Sequence, residues 1–200
     1  MAVENFRVEL EEVYKTLDLE PLGFEKLVRH YELLVRWNRK INLTRIVDPR
    51  EAAWRHFAEG LFILKHANLA GKGVLDVGSG GGFPSLPIAA QEPKAQVTAL
   101  EPVSKKARFI REVSRDWPNV TVDERRLEDV TDQYDWAVVR AVRLEDRLVD
   151  LARVAGSVAL LVAAETVLAS GQFEWMPIIP LPWSPDRGLL LGARCSTWNI

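Results

Sequence analysis

Apolar residues recur at helical intervals through the first third of the chain and then give way to short, unbroken runs. Residues 6 to 17 and 24 to 40 carry helical spacing, with Leu27, Tyr31, Leu34 and Trp37 stepping along one face, and a third helical pattern runs from about Pro49 to Leu69. Residues 1–70 are therefore expected to form a helical N-terminal cap. From there strand and helix patterns alternate: strand 73–77, helix 84–92, strand 96–101, helix 104–117, strands 119–124 and 134–140, helix 144–154, strand 157–163. Such alternation predicts an α/β unit over 71–200, with a doubly wound, mostly parallel sheet covered by helices on both faces and packed with the cap as one unit. Pro177, Pro180, Pro182 and Pro185 interrupt a final antiparallel pair expected around 173–181 and 188–194.

The chemistry is concentrated where the first of these strands ends. Gly73-Val-Leu-Asp-Val-Gly-Ser-Gly-Gly-Gly-Phe-Pro84 runs from an apolar strand through an acid into a glycine turn and a helix start, a backbone that a cofactor can approach closely. The dinucleotide pattern G-x-G-x-x-G fails, because Phe83 or Ser85 occupies its last position. What remains is Asp76-x-Gly78-x-Gly80-x-Gly82, which resembles the first motif of S-adenosylmethionine-dependent methyltransferases. That cofactor carries a sulfonium and an ammonium rather than phosphates, so a nearby carboxylate is electrostatically favourable. The next strand ends in Glu101, about twenty residues on, where an acid can accept from both ribose hydroxyls. Ligands of such sheets bind outside the carboxyl ends of the strands. That rule gathers the 76–84 loop, Glu101, the turn Leu127-Glu128-Asp129 and Arg140, with residues 42–56 folding over them. Leu127 and Glu128 are placed to flank an adenine.

Composition narrows the setting. The chain of 200 residues is 48% apolar, enough for a substantial core. No basic segment followed by an apolar run opens it, so no signal peptide is expected, and the apolar stretch 154–168 is too short to span a bilayer. The one cysteine, Cys195, has no partner for an internal disulfide, in keeping with a cytoplasmic protein, and a monomer is expected. The net charge of −2 hides an asymmetry: Lys26 to His56 holds eight Lys/Arg against three acids, whereas the first twenty residues hold six acids against two bases. A second basic run, Lys105, Lys106, Arg108 and Arg111, follows Glu101.

Five segments in order carry a family resemblance. Trp37-Asn-Arg-Lys-Ile-Asn-Leu-Thr44, Arg55-His56-Phe57, Leu75 through Pro84, Lys105-Lys-Ala-Arg-Phe-Ile110 and Val139-Arg140-Ala141 resemble the successive motifs of the bacterial 16S ribosomal RNA guanine-N7 methyltransferases, also called glucose-inhibited division protein B. The resemblance covers roughly residues 25 to 163. It implies a Rossmann-like class I S-adenosylmethionine-dependent methyltransferase acting on 16S ribosomal RNA or the small ribosomal subunit. Cofactor contacts are expected from Asp76, Gly78, Gly80, Gly82, Phe83, Glu101, Leu127, Glu128 and Arg140, with Arg140 also needed for turnover. Arg39, Lys40, Asn42, Arg45, Arg55 and His56 are expected on the RNA side, and no metal is expected. Two departures stand out: Glu59-Gly60 replaces the family's usual Asp-Ser pair, and Leu160-Leu-Val-Ala-Ala-Glu165 lacks its usual Lys-Gly.

Guanine N7 is an aromatic lone pair with no proton to remove, so alignment and exclusion of water suffice and no general base need be sought. The absence of an Asn/Asp-Pro-Pro-aromatic motif disfavours exocyclic-amine methylation, and the isolated Cys195 disfavours covalent carbon-5 methylation. Two alternatives stay open on the residues alone: methylation of a small molecule, and a non-catalytic S-adenosylmethionine-binding module.

Overall fold

In a computed structural model, which describes residues 1–140, 147–169 and 171–196, the N-terminal third forms helices α1 (Ala2–Leu17), α2 (Phe24–Asn38), α3 (Pro49–Ala52) and α4 (Ala58–His66). A π turn over Ala53–Phe57 joins α3 to α4, so the single helix expected from 49 to 69 is a continuous rod with one wide turn in it, ending earlier, where Ala67 turns extended. The N–H of Ala58 reaches back five residues to the carbonyl of Ala53. Helix α2 stops at Asn38 rather than residue 40. The Asn38 amide binds the chain beyond it, accepting from the N–H groups of Leu43 (2.8 Å) and Thr44 (3.0 Å) and donating to the Thr44 carbonyl (3.0 Å).

The rest alternates as its pattern predicts: β1 (Gly73–Val77), α5 (Ser85–Gln91), β2 (Gln96–Leu100), α6 (Ser104–Val113), β3 (Val120–Asp123), a 3-10 turn (Leu127–Asp129), β4 (Tyr134–Arg140), α7 (Leu148–Val154) and β5 (Ala155–Ala163). Two short strands and one long one follow instead of one antiparallel pair, because Pro177 separates β6 (Phe173–Trp175) from β7 (Ile179–Leu181), and both pair with β8 (Ser184–Arg194). Ala141 of the last motif and residues 144–146, where a helix was expected to begin, lie outside the described residues.

The sheet runs β3-β2-β1-β4-β5-β8-β6, parallel through β5 and antiparallel at β8. Strand order reverses between β1 and β4, and the register is flush there: Val77 lies opposite both Leu100 and Val139. One face packs against α1, α2, α4, α5 and α6 in a core holding Phe6, Tyr31, Phe57 and Phe109, all fully buried. The stripe read from the sequence faces inward, with Leu27, Tyr31 and Leu34 buried and Trp37 packed at the margin. The opposite face packs α7 and Leu127 against β4, β5 and β8. Gly60 shows how closely cap and sheet layers meet: a Cβ there would lie 2.8 Å from Pro87 and 3.1 Å from the Pro84 carbonyl oxygen, so the residue after Glu59 has to be glycine in this packing.

Candidate functional site

The glycine turn occupies the switch point of the sheet. Gly78, Gly80 and Gly82 have φ of 78°, 57° and 84°, a left-handed conformation that side chains resist, and this is why glycine alternates here. The N–H groups of Gly78 and Ser79 donate to the Leu100 carbonyl at 2.9 and 3.1 Å, tying the turn to the end of β2. A Cβ on Gly80 would meet nothing closer than the Gly78 oxygen at 3.8 Å, so this glycine borders open space, whereas one on Gly82 would collide with Leu86 at 2.5 Å.

Glu101 and Asp76 hold this turn from two sides. The buried Glu101 carboxylate accepts from Gly80 N–H (2.7 Å) and Val103 N–H (2.9 Å), leaving lone pairs free for two further donors. Asp76 is fully buried, and its Oδ2 accepts from Ser85 N–H at 3.0 Å, fixing the start of α5. Its Oδ1 has no partner, and burial pushes the carboxyl up to about 6 against the pull of Ser79, Ser85 and Arg140. An orphaned buried carboxylate oxygen, open space at Gly80 and spare acceptor capacity on Glu101 fit a cofactor that presents hydroxyls and positive charge.

Phe83 lies against the helical cap. Its ring is buried, sandwiched between His30 (centroids 4.7 Å apart, 20° between planes) and His56 (4.5 Å, 18°), with Phe57 at its edge. Both faces are covered by imidazoles, so the ring holds the cap to the glycine turn. His30 Nε2 lies 2.8 Å from the Gly81 carbonyl, which makes it the protonated nitrogen. His56, expected on the RNA side, is 5% exposed and bonds through Nε2 to Thr44 Oγ1 at 2.7 Å. Its inward position corrects that expectation: the π turn carries Arg55 outward and His56 into the core. Burial pushes both imidazoles down to about 3, His56 aided by the nearby Arg140 charge, and both Nδ1 atoms are unpartnered.

Arg140 ends β4 inside a buried ionic cluster. Its Nε lies 2.5 Å from Glu59 Oε2, and its Nη2 donates to the Arg55 carbonyl at 2.6 Å. Glu59 Oε1 in turn lies 3.3 Å from Nε of Arg187 on β8. Neither Nε–carboxylate contact is aligned as a hydrogen bond, so the attraction is between charges rather than along donor axes. The Glu59 side chain is 1% exposed; burial raises its pKa while Arg140 and Arg187 pull it back, and burial likewise lowers Arg140. Sequence reading missed His30, Glu59 and Arg187. Of the three, only Glu59 carried a signal, as the departure from the Asp-Ser pattern.

Leu127 is buried under the 3-10 turn, while Glu128 is exposed and paired with Arg147 at 3.0 Å. The turn's carbonyls are gathered by Arg153, whose Nη2 donates to Leu127 O at 3.0 Å. Arg39, Lys40, Asn42 and Arg45 are exposed beyond α2, and Arg55 is exposed and paired with Glu51 at 3.0 Å. Glu165 is exposed in the turn after β5.

Solved methyltransferases share this architecture. The structure is similar to a ribosomal protein L11 methylase from Lactobacillus delbrueckii subsp. bulgaricus (TM-score 0.59, 18% identity, 78% of this chain and 91% of that one). It is also similar to a SAM-dependent methyltransferase from Aquifex aeolicus (TM-score 0.57, 17% identity, 72% and 93%). Strand order, the glycine turn and these likenesses define a Rossmann-like class I S-adenosylmethionine-dependent methyltransferase fold. Within that class the chain belongs to the rRNA small subunit methyltransferase G family, whose profile matches residues 23–164. Relatives described as ribosomal RNA small subunit methyltransferase G include those of Xylella fastidiosa (strain 9a5c; 37% identity, 87% of this chain and 81% of that one) and Nitrosomonas europaea (36%, 64% and 61%). A relative from Desulforamulus reducens is 36% identical over 62% of this chain, and the matched stretch spans 54% of its length.

Proposed function

We propose that this protein transfers a methyl group from S-adenosylmethionine to N7 of a guanine in 16S ribosomal RNA of the small ribosomal subunit. The observation that carries this reading is the left-handed glycine turn at the switch point, with Gly80 N–H held by the Glu101 carboxylate, in a chain of this family. The cofactor supplies an already activated methyl electrophile. Glu101 keeps two lone pairs for the ribose hydroxyls, Gly78, Gly80 and Gly82 let the ligand approach bare backbone, and the buried Asp76 presents negative charge beneath it. Leu127 and Glu128 flank the adenine, and Arg140 closes the site at the end of β4. No residue has to take a proton from guanine N7, so the chain's contribution is orientation and exclusion of water. Residues 1–70 form the RNA side through Arg39, Lys40, Asn42, Arg45 and Arg55, and residues 71–200 the cofactor side.

Labelled methyl transfer to small ribosomal subunits, free 16S rRNA and a panel of small-molecule acceptors tests this reading. Transfer to RNA is expected, and transfer to a metabolite alone contradicts it. Glu101→Ala should weaken S-adenosylmethionine binding by about 1–3 kcal/mol in calorimetry, the range for leaving buried polar groups unpaired. An unchanged affinity would remove Glu101 from the cofactor site.

A further inference from the structure

The helices that carry two basic clusters far apart in sequence, α2 and α6, pack against each other. Trp37, in the last turn of α2, packs edge-on against Phe109 of α6, with ring centroids 5.7 Å apart. Lys105 and Lys106 precede Phe109 by four and three residues, so they lie one turn along the same side of α6. On the facing element, Arg36 adjoins Trp37, and Lys40 follows in the turn whose N–H returns to the Trp37 carbonyl at 2.8 Å. Arg39 and Arg108 complete a group of six cations, all exposed except the half-buried Lys106.

Among the described residues none of the six forms an ion pair, although their neighbours do: Arg29 pairs with Glu32 (2.8 Å), Arg111 with Glu124 (2.7 Å), and Arg115 with Glu112. Local acids are thus engaged by other arginines, and a chain of net charge −2 keeps a concentrated positive excess here. Ordinary solvated helix faces pair their charges locally; here the neighbouring acids Glu32, Glu112 and Glu124 are paired with other arginines. The patch also borders the site: α6 begins just beyond Glu101 and Val103, and Glu101 holds both Val103 N–H and Gly80 N–H.

We propose that Lys105, Lys106 and Arg108 of α6, together with Arg36, Arg39 and Lys40 at the end of α2, form one continuous track for the phosphodiester backbone of the RNA substrate, leading to the glycine turn. This rests on the RNA-methyltransferase reading and adds to it a second half of the RNA surface, supplied by the sheet's own helix rather than the cap. Phosphates bound along such a track release counterions, so affinity falls with salt in proportion to the contacts made.

The test uses the full chain carrying Lys105→Glu and Lys106→Glu, with Lys94→Glu as a control. Lys94 is exposed at the opposite, amino end of β2. Binding to small ribosomal subunits is measured across a salt series, and S-adenosylmethionine binding by calorimetry. The double variant should bind subunits at least about tenfold more weakly at low salt, with the slope of log Kd against log salt reduced by about 1.5 for two lost contacts. Cofactor affinity should match wild type, and Lys94→Glu should leave the slope unchanged. A neutral pair, Lys105→Ala with Lys106→Ala, should lower the slope by the same amount without adding repulsion. If wild type methylates subunits and the double variant keeps the wild-type slope, the track is wrong while the proposed function stands. If wild type binds no RNA, both fall. If polyglutamate displaces RNA at equal charge concentration, the face takes acidic protein segments and the RNA assignment is overturned.

Discussion

Two polar constellations are buried between the helical cap and the sheet, and they meet the cost of burial in opposite ways. The stack of His30, Phe83 and His56 holds the glycine turn with neutral groups: burial drives both imidazoles down to about 3, and each spends one nitrogen on a hydrogen bond, to Gly81 O and Thr44 Oγ1. The cluster of Arg140, Glu59 and Arg187 ties α4 to the ends of β4 and β8 with full charges, two cations around one carboxylate. Neutral polar groups need only hydrogen bonds to be buried, while a buried charge needs its counter-charge. The first constellation should therefore respond to pH and the second to loss of a partner.

The largest effect should come from the charged cluster. Glu59→Gln leaves two largely buried guanidiniums facing each other and should destabilise the fold by about 3 kcal/mol, the low end for breaking a buried pair because both arginines keep some solvent contact. Denaturant titration should show a lower midpoint at unchanged slope. A loss below about 0.5 kcal/mol, the range of ordinary surface substitutions, would show the cluster to be solvent-screened and would end the contrast.

Per histidine and per pH unit, a smaller effect should come from the imidazoles. Each is pushed down from 6.5 to about 3, so between these values the unfolded chain binds protons that the folded protein refuses. Their stabilisation is complete above pH 6.5 and is lost as pH falls towards 3, at about 1.4 kcal/mol per pH unit for each histidine. Asp76 acts in the opposite sense: raised from 3.8 to about 6, it keeps a proton in the folded state that the unfolded state has released, which adds stability as pH falls through that range. Glu59, raised by burial, opposes the histidines in the same way. His30→Gln keeps an N–H donor for Gly81 without titrating, so subtracting its pH profile from wild type isolates His30. The difference should approach one proton between pH 6.5 and 3, and a flat difference would mean that His30 ionises within the fold.

What could be read from the sequence follows the range of the interactions. The elements from β1 to β5, the glycine turn and the acid at the end of β2 were legible, because each is set by local period or by spacing within one strand-turn-helix unit. The inward position of His56 and the imidazole stack on Phe83 were not. An Arg-His pair beside a basic run reads as surface, and only the π turn, together with stacking on residues 27 positions away, turns His56 inward. Glu59 was visible as an anomaly but its meaning was not, since its partners lie on β4 and β8 and its glycine neighbour is fixed by contact with Pro84 and Pro87. The interrupted C-terminal strands were harder still, because proline count does not say which strand an edge segment joins.

The central claim is that a cofactor bound at the glycine turn delivers its methyl group to a guanine ring nitrogen of ribosomal RNA. Small ribosomal subunits incubated with the protein and methyl-labelled S-adenosylmethionine can be reduced and treated with aniline, which cleaves the strand at 7-methylguanine, and the labelled nucleotide identified by digestion and mass spectrometry. Label in 7-methylguanine at one strand-cleavage site in 16S rRNA is the expected result. Label on an exocyclic amine, a ribose oxygen or a pyrimidine carbon, or no transfer to RNA at all, would contradict it.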